Sequence, residues 1–215
     1  MEIEVTYSID SADHLIIDYK GISDKRTVFN PTNHSYFNLH GEGNGDILDT
    51  EVCVHADYFT ATDNHSIPDG TDTAVEGTPM DFREFHAINE RIDDDYEQLR
   101  LAGGYDHNFE LSKDEKWHRS EFDHDGKKEY EAAEFRLPDN SLQVNVITDL
   151  PGVQMYTGNY ISGKEYGKSG KLYVRRGGIA FETQYFPNAI NVPKYEQPVI
   201  EAGKPYFSKT IYEII

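Results

Sequence analysis

Ile3, Val5, Tyr7 and Ile9 alternate with Glu2, Glu4, Thr6 and Ser8 from the second residue onward. A period of two is the side-chain repeat of a β-strand, and no helix can use it. It predicts a half-buried strand with one apolar face. Asp10–Asp13 read as a turn and His14–Lys20 as a return strand, so the chain opens on a hairpin. The same grammar recurs. Thr27-Val28-Phe29 starts a third strand, and Thr50–Ala56 is another. Tyr130–Leu137 and Ser141–Asp149 flank the turn Pro138-Asp139-Asn140. Val153–Gly158 follows Pro151-Gly152. Leu172–Arg175 and Ile179–Tyr185 flank Gly177-Gly178, and Val199-Ile200 and Lys209–Ile215 close the chain. Roughly ten short strands with regular turn signals predict an all-β fold, a large antiparallel β-sandwich.

Two stretches depart from that pattern. Tyr58–Pro79 is rich in Thr, Asp, Gly, Asn and Pro with no sustained period, and reads as a long irregular connection. Ile88, Ile92, Tyr96 and Leu99 recur at spacings of three and four, which predicts one or two short helical turns. No internal repeat and no Pro/Gly/Ser linker divides the sequence, so residues 1–215 read as one domain, long enough to bury a core without staples.

Charge narrows the partners. Lys and Arg number 20 against 39 Asp and Glu, a formal charge of −19. That sign argues against nucleic acid and anionic membrane, whose phosphates are bound by Lys and Arg. No apolar run approaches the ~20 residues of a membrane-spanning helix. Cys53 is the only cysteine, which fits a reducing, cytoplasmic setting. Met1 is followed by Glu2-Ile3-Glu4, with no basic and apolar run of a secretory signal. The histidines are scattered without zinc-motif spacing, so no metal site is expected.

The polar residues with a use are few. Asn33-His34-Ser35-Tyr36-Phe37-Asn38-Leu39 follows a strand broken by Pro31. Buried amides and imidazoles cost stability unless they find partners, and loops at strand ends are where binding groups gather. His34 is then either an acid/base group in a polar cleft or a satisfied histidine tying down a loop. In Ile179–Tyr185, Ala180, Glu182 and Gln184 share one face. Glu182 there either meets a polar cleft or is solvated at an edge. Gln154 alternates with Val153 and Met155, and read locally it is a surface amide. Asp106 follows Gly103-Gly104 and stands beside His107 and Asn108, a turn aspartate or a binding group.

Together Asn33–Leu39, Tyr105-Asp106-His107-Asn108-Phe109, the run Pro151–Asn159, and Phe181-Glu182-Thr183-Gln184 resemble the aldose 1-epimerase, or galactose mutarotase, family in content and order. The tail from Phe186-Pro187-Asn188 to Tyr206 also resembles it. The resemblance implies a sandwich of the galactose mutarotase type, no cofactor, and interconversion of the α and β anomers of free galactose, glucose and related aldoses. It casts His34 as general acid and Glu182 as general base, with Asp106 and Gln154 holding sugar hydroxyls. A carboxylate and a cationic histidine in one cleft suit that chemistry, because ring opening needs a base and an acid at the same pH. The family pattern also begins with further strands that carry an arginine and a second histidine of the sugar site, and this chain starts beyond both. The expectation is therefore an N-terminally truncated sandwich, impaired or active, with a homodimer covering the strand edges left exposed. The alternative is an inactive or weak carbohydrate-binding module derived from a mutarotase.

Overall fold

The computed structural model describes residues 1–215. The opening hairpin pairs β1 (Glu2–Ile9) with β2 (Leu15–Ile22). Asp10 Oδ1 accepts from the backbone N–H of Ala12 (2.9 Å) and His14 (3.1 Å), and Asp13 takes a φ of 63° to close the turn. After a two-residue β3 (Thr27–Val28) come β4 (Glu51–Val54), β5 (Tyr58–Thr62), β6 (Pro68–Ala74) and β7 (His86–Ala87). One short helix, α1 (Glu97–Ala102), precedes β8 (Asp106–Glu110). Then follow β9 (Tyr130–Arg136), β10 (Gln143–Thr148), β11 (Gly152–Tyr156), β12 (Ala180–Gln184), β13 (Val199–Ile200) and β14 (Tyr206–Ile214).

These strands form a seven-stranded sheet, β1-β2-β14-β10-β9-β4-β7, and a five-stranded sheet, β12-β11-β8-β5-β6; β13 and β3 pair separately. All pairings are antiparallel. The two sheets share one core. Ile17, Tyr19, Phe135, Val146 and Tyr212 come from the larger sheet, and Phe59, Phe109, Val153, Met155 and Phe181 from the smaller. Phe135 stacks on Phe181 with ring centres 4.9 Å apart, and the Tyr212 hydroxyl donates to the Phe181 carbonyl at 2.8 Å. Burying a side chain such as Phe181 contributes about 1.5–3 kcal/mol over leaving it in water. Because Phe181 and Thr183 face this core, strand alternation turns Ala180, Glu182 and Gln184 to the opposite face.

Three sequence expectations change. Tyr58–Pro79 is not an irregular connection but the β5–β6 hairpin, with Tyr58 opposite Ala74 and Phe59 opposite Thr73. Its turn is held by Asp63 Oδ1, which accepts from His65 (2.8 Å) and Ile67 (3.0 Å). Threonine suits a pleated surface as well as valine does, and it hides the apolar period by which strands are read. Second, β1 is not half-buried. Ile3, Val5, Tyr7 and Ile9 are 52, 43, 59 and 72% exposed. Their face continues the inner face of β2, where Val5 lies opposite Tyr19 and Tyr7 opposite Ile17. The second sheet does not reach over them. Third, Leu172–Arg175 forms no strand; Leu172 makes an isolated bridge to Tyr166, and the backbone N–H of Tyr173 donates to Glu165 within the same loop.

Candidate active site

The outer face of the five-stranded sheet is built in rows. Register places Glu182 opposite Gln154, and Gln154 opposite Asn108. The next row is Ala180, Tyr156 and Asp106, and the row on the other side is Gln184, Gly152 and Glu110. All three strands thus present polar groups at one level, flanked by the small side of Ala180 and by Gly152. A Cβ at Gly152 would sit 2.5 Å from Asn108 Oδ1, so glycine is what lets the Asn108 amide lie across the strand.

A hydrogen-bond chain fixes the amides. Gln184 Nε2 donates to Asn108 Oδ1 (3.2 Å) and to Gln154 Oε1 (3.3 Å), and Gln154 Nε2 donates to Asp106 Oδ1 (2.7 Å). With its oxygen turned to Gln184, the Gln154 amide has its NH₂ committed to Asp106. Asn108 Nδ2 is buried and has no partner.

The segment from Asn30 to Leu39 caps the free edge of β12. At one end the Asn30 side chain donates to the Tyr185 carbonyl (3.0 Å) and accepts from the Tyr185 N–H (2.9 Å). At the other, Phe37 and Ile179 exchange two backbone hydrogen bonds of 2.8 and 2.9 Å. Between these anchors the chain arches away from the strand. Asn33 Oδ1 accepts from the Ser35 N–H (3.0 Å), a local turn that projects His34 inward. His34 Nε2 then lies 3.5 Å from Glu182 Oε1. Tyr36 and Tyr156 flank the imidazole, with centroids 4.9 and 5.8 Å away. A cavity of about 750 Å³ adjoins this point and shares Tyr36 and Tyr156 with it.

The electrostatics follow from this burial. The His34 side chain is 45% exposed and that of Glu182 14%. Burial raises the Glu182 carboxyl above its ordinary range; His34 pulls it back and Asp106 pushes it up again. Burial likewise raises Asp106, against the Gln154 hydrogen bond and His34, which lower it. Each carboxylate is therefore a stronger base than a solvated one.

The structure brings all four sequence-chosen residues, His34, Asp106, Gln154 and Glu182, to one face. It separates His107 from them. That ring turns to the core side, fully buried against Gln98 Oε1 (3.2 Å), and burial alone pulls its pKa down to about 4. Asn108, Gln184 and Tyr156 were missed as site residues. The signal was present: each is two residues from a chosen one, and period two puts it on the same face. Two groups of side chains that could each hold a metal ion, Cys53–His55–Glu134 and His124–Glu129–Asp149, lie elsewhere.

With this geometry in view, the likenesses to known proteins are informative. The sequence profile described as aldose 1-epimerase matches residues 1–213. Galactose mutarotase of Rattus norvegicus is 35% identical over 215 residues, 99% of this chain and 57% of the rat protein. The human galactose mutarotase is 33% identical over 213 residues, again 99% of this chain and 57% of its own length. An aldose 1-epimerase of Escherichia coli is 33% identical over 98% of this chain and 58% of that protein. Among solved structures, galactose 1-epimerase from Lactobacillus acidophilus superposes with a TM-score of 0.79 at 26% identity, covering 99% of this chain and 56% of that one. An aldose epimerase homologue from C. elegans gives the same TM-score at 21% identity, which supports the fold alone. The chain spans about 57% of the length of the mutarotases it matches. By profile, by identity and by its mutarotase-type antiparallel sandwich, the chain belongs to the aldose 1-epimerase family.

Proposed function

We propose that this chain carries the proton-transfer centre of an aldose 1-epimerase acting on free aldohexoses such as galactose and glucose. One observation carries the reading: His34 Nε2 stands 3.5 Å from Glu182 Oε1, on the face where Gln154 and Asp106 are hydrogen-bonded together. The two sugar oxygens that exchange protons are bonded to the same carbon, so an acid and a base this close can address both at once. Glu182 takes the proton of the C1 hydroxyl while His34 gives one to the ring oxygen. The C1–O5 bond breaks and leaves an open-chain aldehyde. After rotation about C1–C2, neutral His34 takes the O5 proton as that oxygen attacks the other face of C1, and Glu182 returns its proton to the carbonyl oxygen. Asp106 and Gln154 hold ring hydroxyls. The reaction is redox-neutral, and each group ends as it began.

Polarimetry on fresh α-D-glucose and α-D-galactose tests this. The expected result is a rate above buffer that falls by ~10²–10⁴ in Glu182→Gln and in His34→Asn. A wild-type rate equal to buffer overturns it. A second reading, a saccharide-binding module without turnover, is favoured by the open side of His34, 45% exposed. Saturable binding of galactose by calorimetry with no rate gain would select it.

The same reading includes a second copy of the chain. β1 ends its sheet with unpaired backbone groups beside the exposed stripe Ile3, Val5, Tyr7 and Ile9. Two β1 strands related by a twofold axis pair antiparallel, continue the sheet and set the two stripes side by side on one face.

A further inference from the structure

Far from the sugar face, a tight turn presents a second cluster. Asp125 (φ 48°) and Gly126 (φ 77°) are the two central residues of a hairpin turn closed by His124 and Lys127, which exchange backbone hydrogen bonds of 3.2 and 2.7 Å. Positive φ at both central residues is the geometry for which Asp-Gly is selected. The segment between the turn and β9 carries Glu129 inward, and its backbone is held on both sides. Its N–H donates to Asp123 Oδ1 (3.0 Å), and its carbonyl accepts from the Arg119 N–H (2.8 Å). Asp149, just past β10, meets this pair. The side chains of His124, Glu129 and Asp149 are 13, 0 and 3% exposed. One ligand atom from each lies within 4.8 Å of the other two.

The pairing within the cluster is incomplete in a specific way. His124 Nδ1 lies 2.7 Å from Glu129 Oε1. Yet neither ring nitrogen of His124 and neither oxygen of Glu129 has a hydrogen-bond partner. The contact is close but off the N–H axis, and a hydrogen bond weakens steeply with that misalignment. A fully buried carboxylate without a partner is costly. At 2.7 Å the two atoms are nearer than the roughly 3.3 Å that separates two ligands on a tetrahedral zinc-type ion, so an ion would open this contact into a shared set. Asp149 behaves as the outer member of such a set. Its Oδ1 accepts from the Lys209 N–H (2.8 Å) and its Oδ2 is ion-paired with the Lys127 ammonium, so an ion would share Asp149 with these partners or displace Lys127 from it.

We propose that His124, Glu129 and Asp149 bind a divalent transition-metal ion of the zinc type. One imidazole and two carboxylates match a borderline cation that takes nitrogen and oxygen ligands together. A cavity of about 210 Å³, lined by Ser208, Asp18 and Lys20 among others, reaches the cluster at His124. The ion ties the 124–127 turn to the end of β10, so its role is structural and does not depend on the sugar chemistry. No metal motif is legible in the sequence, because these residues are spread from 124 to 149 and converge only through the turn and the β9–β10 pairing.

Zinc is the probe. Chelator-stripped protein is titrated with zinc chloride by calorimetry, retained metal is counted after gel filtration, and the zinc edge is read by X-ray absorption. The expected result is one equivalent per chain, a first shell of nitrogen and oxygen without sulfur, and a zinc-dependent rise in Tm. Affinity should fall at least 10-fold in Glu129→Gln and in His124→Gln. Folding of Glu129→Gln is checked by circular dichroism; His124→Gln alters only the partly exposed turn and gives the same test independently. Failure to retain stoichiometric zinc overturns the proposal. So does a first shell containing sulfur, which would place the ion at Cys53, His55 and Glu134. Binding unchanged in both variants overturns it equally.

Discussion

β1 and β12 each lie at the edge of a sheet, and the chain finishes the two edges in opposite ways. Every residue of β1 is exposed, whereas in β12 only Glu182 is not fully buried. The difference is the segment from Asn30 to Leu39. It pairs with the β12 edge at Phe37 and Asn30 and arches between them. A regular strand paired along that edge would lie in the sheet plane and leave the Glu182 side chain on the open face. Covered by an arch, Glu182 is desolvated yet faces a histidine and an opening. The segment that covers the sheet edge thus also carries the histidine of the candidate site. The two edges also touch, since Asn33 Nδ2 donates to the Tyr7 hydroxyl of β1 at 3.1 Å.

The strongest way to break this contrast is to release the arch. Phe37 packs its ring on Tyr212 (4.8 Å) and Phe135 (5.5 Å). Phe37→Ala should cost about 3 kcal/mol in urea unfolding, and mutarotation should fall with it although no proton-transfer group has changed. Full activity in the folded variant would show that His34 is placed without the edge bridge.

A subtler test reads the carboxylate under the arch. The Glu182 carboxyl is raised by burial, lowered by His34 and raised by Asp106. Its titration, followed by ¹³C NMR, should therefore move down in Asp106→Asn, where a like charge is lost. It should move up in His34→Asn, where the neighbouring cation is lost. The acid limb of the rate profile follows, because activity is lost as pH falls through the Glu182 midpoint. Shifts of the same sign in both variants would mean that burial alone governs the group.

The contrast also marks what a sequence can show. Alternation fixes which residues share a face, so Glu182 with Gln184, and Gln154 with Val153 and Met155 on opposite sides, were legible at once. Which face meets the core is decided by packing such as Phe135 on Phe181, and no local pattern encodes it. His34 could be singled out by its polar neighbours. Its distance to Glu182 depends on anchors 155 residues apart in sequence, Asn30 and Tyr185. The β5–β6 hairpin was missed because threonine fills strand positions without an apolar signature. β1 was the converse: a clear period of two correctly gave the strand, and exposure depended on how far the opposite sheet extends.

The smallest expected effect on stability belongs to the uncovered edge. Val5 is 43% exposed, so Val5→Lys should change the unfolding free energy by less than ~0.5 kcal/mol. Its effect on association should be much larger, because an ammonium in the middle of the stripe cannot be buried against its own copy across a twofold axis. Light scattering across protein and salt concentration separates the two quantities. The wild-type chain, with a formal charge of −19, should associate more readily as salt screens its self-repulsion. Val5→Lys should stay monomeric throughout. A wild-type chain that remains a stable monomer at all salt concentrations removes the second copy from the reading. A loss of several kcal/mol in Val5→Lys would show instead that the stripe is packed in solution, and that the two edges differ less than their exposure implies.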